Sequence, residues 1–377
     1  MNSLLKKIFF FTLLISSIIS FGQNFPLSNN ARVSVITCDT GNESYSLFGH
    51  TALRITDTDN NLDVVYNYGA FDFGTPNFVA KFAKGDLQYF AIAHSFSDFM
   101  SQYTYEQRSV FEQELLISLA HKQQLFDNLN TVLASEDRYY TYKFIDRNCT
   151  SMVVEILNKT LKSEVIFKKS GTDKTYRSIL YPYFDNSFYQ KLGTSIIFGS
   201  KVDNYGTRIF LPLELHKSLQ QTQFKNQPLC KESKTILDFK KEAPSSWLDN
   251  IYTFILALGI LVMVNKKSVD VFYFSIMGFL GLFFGFMGFY SFHQELANNY
   301  NILLFNPLLL LFLYFIYTQK KKWIINLSLL NLFFILVYVV FMLNKIHLLI
   351  VLPLVLTSSA LLIKTAFQNS KRIPVVI

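Results

Sequence analysis

From Trp247 to Ile363 the chain is almost continuously apolar, dominated by Phe, Leu and Ile and broken only by short polar clusters. Such a run dictates a membrane domain. Each apolar block is measured against the ~20 residues that a helix needs to cross a ~30 Å hydrocarbon layer. Trp247–Val264, Val269–Phe292, Ile302–Tyr317, Trp323–Leu343 and Ile346–Ile363 reach or approach that length, so five spans are expected. The third is short and holds Asn306-Pro307, which predicts a kink or an oblique path. Within the second, Gly278, Gly281, Gly285 and Gly288 recur at three- and four-residue intervals and share one helix face, the pattern of a seam for close helix packing. Lys266-Lys267, Lys320-Lys321-Lys322 and Lys364 with Lys371-Arg372 come after the first, third and fifth spans. Positive-inside counting places these in the cytoplasm. Residues 365–377 are then a cytoplasmic tail.

The N-terminus agrees with that orientation. Lys6-Lys7, an apolar run Ile8–Ile19 and a Ser20-Phe21-Gly22 end read as a secretory signal over residues 1–22, an uncleaved anchor helix being the alternative. Either way, the segment from Gln23 onward is exported. The net charge of +8 suggests nucleic-acid binding only until it is divided: residues 23–246 carry as many acidic as basic side chains, and the excess sits at the N-terminus and in the apolar part. A neutral exported part has no basic surface for a polyanion, so nucleic-acid binding is not expected.

Residues 23–232 are long enough for one sizeable core of mixed α+β character. Strands are expected at Arg32–Thr37, His50–Thr56 and Leu87–Ala93. Asp57–Asn61 is turn chemistry that would return the chain as a hairpin arm at Val64–Tyr68. Helical patterns cover Tyr105–Ala120, Lys122–Ala134 and Cys149–Leu161. Pro182, Asn186, Gly193, Gly199 and Gly206 predict loops with short elements beyond, and 233–246 reads as a linker to the 247–364 membrane domain.

Three cysteines in an exported domain leave at least one unpaired. If Cys38 or Cys230 pairs, its partner is the other. Cys149 would open a helix, capped by Asp146 or Asn148, where free amides and the helix dipole favour thiolate over thiol. A thiol nucleophile also needs an imidazole within hydrogen-bond reach, oriented by a third polar group. His50 begins a strand behind Gly49, which permits close backbone approach. A turn about Asn60 brings Asn67 and Tyr68 level with it, so either could orient the ring. Between the second and third spans, His293, Glu295 and the Asn-rich stretch to Asn301 lie under the exported domain, either as a solvated loop or as contacts for a lipid headgroup or incoming substrate. The aromatic run Tyr139, Tyr140, Tyr142 and Phe144 suits core packing or an acyl groove.

A histidine on the first strand of a hairpin, with Asn148-Cys149 later at a helix start, resembles the circularly permuted papain-like fold of the NlpC/P60 superfamily, to which lecithin–retinol acyltransferase-like enzymes belong. More closely, Phe48–Ile55, Tyr66–Phe73, Gly85–Tyr89, Glu106-Gln107-Arg108, Tyr140-Thr141-Tyr142 and Asn148-Cys149-Thr150 resemble the exported domain of the lipoprotein N-acyltransferase family called Lnb. The five-span tail, with its outer His293 and the Asn-rich stretch before Asn306-Pro307, is similar to that family's membrane domain.

The resemblance implies an antiparallel sheet with packed helices in the periplasm, and a multi-pass protein of the bacterial inner membrane. It further implies transfer of an acyl chain from a membrane phospholipid to the α-amine of a diacylated lipoprotein, through a Cys149 thioester with His50 as base. Backbone amides at the Cys149 helix start would hold the oxyanion. Arg54, Asn148, Tyr142, His293 and Asn301 are the candidate substrate contacts. No metal or organic cofactor is called for, since no Cys/His cluster has ligand spacing. Two other readings remain: a cell-wall amidase or peptidase, and a non-catalytic membrane sensor or assembly factor.

Overall fold

The computed structural model describes residues 25–43, 45–240 and 246–370. The signal segment, part of the linker and residues 371–377 lie outside them. The exported half is built on strands β1 (Arg32–Cys38), β2 (His50–Asp57), β3 (Leu62–Ala70), β4 (Gln88–Ser95), β5 (Val110–Glu114), β6 (Tyr139–Thr141) and β7 (Lys234–Leu237). Among the described residues these form one antiparallel sheet in the order β6-β4-β3-β2-β1-β5-β7. β1 lies inside the sheet and is buried on both faces after its first residue. Val33, Val35, Leu53, Ile55, Tyr66 and Tyr68 point to one side, against helices α3 (Leu119–Leu133) and α4 (Cys149–Leu161). Ile36, Cys38, Ala52 and Val65 point to the other, against α2 (Phe96–Tyr105). A short helix, α1 (Phe78–Lys84), joins β3 to β4.

Two expectations are corrected. The helical pattern read at Tyr105–Ala120 is instead the end of α2, a turn with Gln107 at φ +51°, and strand β5. Residues 110–114 find partners along β1 between Ser34 and Cys38, and that long-range ladder overrides local periodicity. Ser118 then caps α3 by accepting from the His121 amide. The stretch read as a linker contains β7, which pairs with β5 and forms the sheet edge. The expected loops after residue 165 do carry short elements, including helix α5 (Phe188–Ile197).

The apolar half forms helices α6 (Ile251–Met263), α7 (Lys267–Tyr290), α8 (Leu308–Tyr317), α9 (Lys321–Met342) and α10 (Leu348–Ser370). Four segments, Lys267–Tyr290, Gln294–Tyr317, Lys321–Met342 and Leu348–Ser370, are long and apolar enough to cross a membrane; α6, at 13 residues, is shorter. The segment from Gln294 begins in two 3-10 turns and becomes α-helical only after Pro307, as its Asn-Pro pair predicts. Phe272, Phe279, Phe283, Phe286 and Phe289 of α7 are exposed, as lipid-facing side chains are. The glycine seam faces this same broken segment: a Cβ at Gly278 would press on Leu310, one at Gly285 on Ile302, and one at Gly281 would collide with the Phe305 carbonyl.

The two halves meet through residues 291–301. Ser291 Oγ donates to the Ala83 carbonyl at 2.7 Å, the Phe292 amide to Lys84 O at 2.7 Å and the Gly199 amide to Glu295 O at 2.7 Å. Tyr300 donates to Asp203 Oδ2 at 2.6 Å, and Asp203 is also bound by Arg177 at 2.7 Å. The exported domain is thus bolted to the end of α7 where Tyr290 emerges. The opposite end of the bundle carries Lys267 and the Lys364–Asp270 pair.

Substitution along the seam tests this packing. Gly281→Ala forces backbone apart and is expected to destabilise the bundle by ~1–3 kcal/mol, read as a lowered midpoint of thermal unfolding in detergent. Gly288→Ala, whose Cβ would meet Leu296 O at an ordinary 3.6 Å, is expected to leave the midpoint unchanged.

Candidate active site

α4 starts where it does because Asn148 caps it. Its Oδ1 accepts from the Thr150 and Ser151 amides at 3.0 Å each, and Ser151 Oγ accepts from the Asn148 amide at 2.8 Å, a reciprocal capping box. Asn148 Nδ2 donates to Phe144 O at 2.7 Å and Phe210 O at 2.9 Å. Of the two residues considered for the cap, Asn148 serves; Asp146 is held by Lys201 and Arg208. Cys149 is therefore the first helical residue. The buried Thr51–Thr150 hydroxyl pair, at 3.0 Å, pins the helix start to β2.

His50 is the first residue of β2. The preceding Gly49 has φ +82°, and a Cβ there would lie 2.6 Å from the Cys38 carbonyl, so the close approach does require glycine. The hairpin pairs Ala52 with Asn67 and Leu53 with Tyr66. Asn67 thereby shares His50's face of the sheet, and its Oδ1 lies 3.1 Å from His50 Nε2. Tyr68, the other candidate for orienting the ring, points to the opposite face and packs in the core beside α4. An alternating strand cannot turn both neighbours toward one imidazole.

Thiol and imidazole act on each other. Burial opposes ionisation of Cys149, but the charge of His50, its hydrogen bond, the Thr51 amide and the Thr150 hydroxyl together hold the thiol below its ordinary value. Burial likewise disfavours the His50 cation, yet Cys149, by charge and hydrogen bond, and then Asn67 raise the imidazole above its ordinary value. Each group thus favours the charged form of the other. Cys38 and Cys230 are also free and buried. Burial pushes Cys38 up to about 12 and Cys230 up to about 11, so neither is an activated nucleophile.

Gly69, with φ +115°, sits where Cys149, His50 and Tyr140 converge. A Cβ there would lie 3.8 Å from Cys149 Cβ, 3.9 Å from His50 Cε1 and 4.0 Å from the Tyr140 hydroxyl. That hydroxyl is buried and has no hydrogen-bond partner among the described residues. Of the amides at the helix start, the expected place for an oxyanion, those of Thr150 and Ser151 are taken by Asn148. Tyr140 is thus an unengaged side-chain donor near the thiol, a placement hidden in sequence within a run of aromatic residues. A cavity of about 550 Å³ opens over His50, Asn67 and Gly69, and its wall includes Phe71, Phe73 and Arg108. A cavity of about 630 Å³, lined by Lys168, Lys174 and Glu214, has neither thiol nor imidazole in its wall.

The other candidate contacts are engaged within the protein. Arg54 is bound by Asp63 at 2.8 Å and Glu112 at 3.2 Å, and lies over the Phe96 ring, away from Cys149. Tyr142 stacks on Tyr89 with ring centroids 4.5 Å apart, and burial raises its hydroxyl well above the ordinary value. His293 Nε2 meets the Phe82 carbonyl at 2.9 Å. Asn301 is fully buried, donates to Ser195 O and Ile196 O and accepts from Tyr338 at 2.7 Å. The outer polar cluster is neither solvated nor open to a substrate at these two positions, because its hydrogen-bonding capacity is spent on joining the halves. Among the described residues no group of three or more His, Cys, Asp or Glu is placed to hold a metal ion.

Thiolate character sets the pH dependence of the site. As pH falls through the lowered thiol value, Cys149 is protonated and its alkylation by iodoacetamide slows; in His50→Ala that midpoint is expected to move up toward the ordinary thiol range. Rates of Cys149 carboxamidomethylation against pH, tracked by peptide mass spectrometry, measure both.

No curated protein and no solved structure matches this chain. Residues 24–181 match the family described as the Lnb N-terminal periplasmic domain, and residues 235–371 match the Lnb transmembrane domain. With both halves matched in order, an antiparallel α+β domain and then apolar helices, the chain belongs to the Lnb family of lipoprotein-processing membrane proteins, with its N-terminal domain in the periplasm.

Proposed function

We propose that this protein is a cysteine-dependent N-acyltransferase that moves an acyl chain from a membrane phospholipid to the α-amine of a diacylated lipoprotein. The observation that carries the reading is the partly buried thiol at a capped helix start, held toward thiolate by His50, with Asn67 behind the ring. The domain spanning 23–232 is catalytic in this reading, and the C-terminus is cytoplasmic, on the side of the lysine clusters.

The Cys149 thiolate attacks the ester carbonyl carbon of the donor. A carbon–sulfur bond forms and the carbonyl electron pair moves to oxygen, where the Tyr140 hydroxyl donates to the developing charge. Collapse breaks the ester carbon–oxygen bond. His50, as imidazolium, gives its proton to the departing alkoxide, leaving lysophospholipid, a Cys149 thioester and neutral imidazole. The acceptor amine then attacks the thioester carbonyl and yields its proton to His50. Expulsion of the thiolate leaves the amide product and restores the ion pair. Asn67 positions the ring throughout. Both substrates are anchored in lipid, which accounts for a catalytic domain fixed to a membrane bundle; soluble cell-wall stems would not require one.

Full-length protein incubated with phospholipid and quenched in acid is expected to carry an acyl adduct on Cys149, absent in Cys149→Ala. No adduct, together with full complementation of lipoprotein maturation by Cys149→Ala, would overturn the proposal. Tyr140→Phe keeps the ring and removes the donor; its rate of adduct formation is expected to fall by ~10²–10³, the usual effect of deleting one oxyanion donor.

A further inference from the structure

The chain between Gly69 and Gly85 leaves the sheet beside Cys149 and returns through α1. The C-terminal end of α1 is fastened to the membrane domain, its Phe82, Ala83 and Lys84 carbonyls engaged by His293, Ser291 and Phe292. Those three residues come directly after Tyr290, the last residue of the membrane-crossing helix α7. α1 therefore lies at the level where α7 leaves the hydrocarbon.

At that level its outer side is apolar and bare. Phe73 is 73% exposed, Val79 76% and Phe82 45%. Apolar side chains uncovered by protein at the height of a bilayer surface face lipid. Lys81 and Lys84 lie in the last turn of α1; Lys84 is paired with Asp86 at 2.9 Å beside the Phe292 ring, which leaves Lys81 as the cation of this turn placed to meet phosphate.

The inner side of the same segment leads to the cavity over His50. Phe71 packs against Phe73 at 4.8 Å, Phe78 at 5.7 Å and Tyr89 at 5.2 Å between ring centroids. Phe71 and Phe73 also form part of the cavity wall that contains His50 and Gly69. Aromatic surface thus runs from the exposed Phe73 to the cavity over His50 and Gly69, the glycine that abuts Cys149.

We infer that Phe71–Lys84 is a lipid-inserted ramp: its outer face lies in the outer leaflet, and its rings conduct one acyl chain of a phospholipid from the bilayer to Cys149. The inference rests on the reading of Cys149 as acyl acceptor and adds the route by which the chain arrives.

Two measurements on the full-length protein test it. With Trp247 and Trp323 replaced by Phe, Val79→Trp is reconstituted in phosphatidylcholine vesicles with or without bromine at mid-chain. Strong quenching by the brominated lipid and shielding from acrylamide are expected; full acrylamide quenching with no effect of bromine overturns the insertion. In the second, Cys149 adducts from phospholipid and from a water-soluble short-chain ester are compared. In a Phe73→Ser/Val79→Ser variant the phospholipid-to-short-ester ratio is expected to fall about tenfold, for the loss of two apolar contacts with lipid. An unchanged ratio, with wild-type protein forming both adducts, rejects the ramp and leaves acyl transfer standing. Wild-type protein that forms no phospholipid adduct removes the acyl-transfer reading and with it the route, whereas the quenching still decides whether α1 enters the leaflet.

Discussion

A sulfur removed from water resists ionisation, and the rest of the site is organised around reversing that preference at Cys149. Burial alone raises Cys230 and dominates at Cys38; both share the chemistry of Cys149 but not its surroundings. What separates Cys149 is the His50 ring, the Thr51 amide and the Thr150 hydroxyl, each contributing against desolvation. None of these is adjacent by accident: the Asn148 cap fixes the helix start, the Thr51–Thr150 pair fixes that start against β2, and Asn67 accounts for the far side of the imidazole.

Under the proposed acyl transfer, that arrangement serves a lipid ester only if this end of the sheet faces the membrane. The end of the sheet carrying His50, Gly69 and Tyr140 also gives rise to α1, and α1 is hydrogen-bonded to the residues just beyond α7. The stretch 291–301 supplies most of this junction. Several of its polar side chains bind carbonyls of the exported domain, notably those of 196 and 197 with Asn299 and Asn301. Hydrogen-bonded polar groups specify one geometry more sharply than an apolar contact does. The position of this end of the sheet relative to α7 is consequently fixed.

Much of this is legible in one dimension. The apolar blocks, the glycine face of α7, the kink at Asn306-Pro307, the β2–β3 hairpin and the helix opening at Cys149 all depend on local periodicity and local chemistry. Sequence and structure part wherever a distant partner decides the outcome. Residues 110–114 are a strand because β1 needs a neighbour, and 234–237 join the sheet because β5 does. His293 and Asn301 are exposed polar candidates in sequence and buried junction residues in space, since nothing local reveals which carbonyls a distant loop will present. Tyr140 is concealed by its aromatic neighbours; only the missing hydrogen-bond partner sets its hydroxyl apart.

The sequence by itself determined that a chain with this signal-like start and apolar tail is exported and membrane-bound, and that Cys149 stands at a helix start, because those properties depend on composition and on residues within a turn or two. Tertiary structure alone decided that Asn67 and not Tyr68 faces the imidazole, that Asn148 takes two of the amides at the Cys149 helix start, and that the outer polar cluster joins the halves. Each of these depends on which face of a strand or which end of a helix a remote segment meets, and strand register and domain docking are set by long-range contacts that no local pattern encodes.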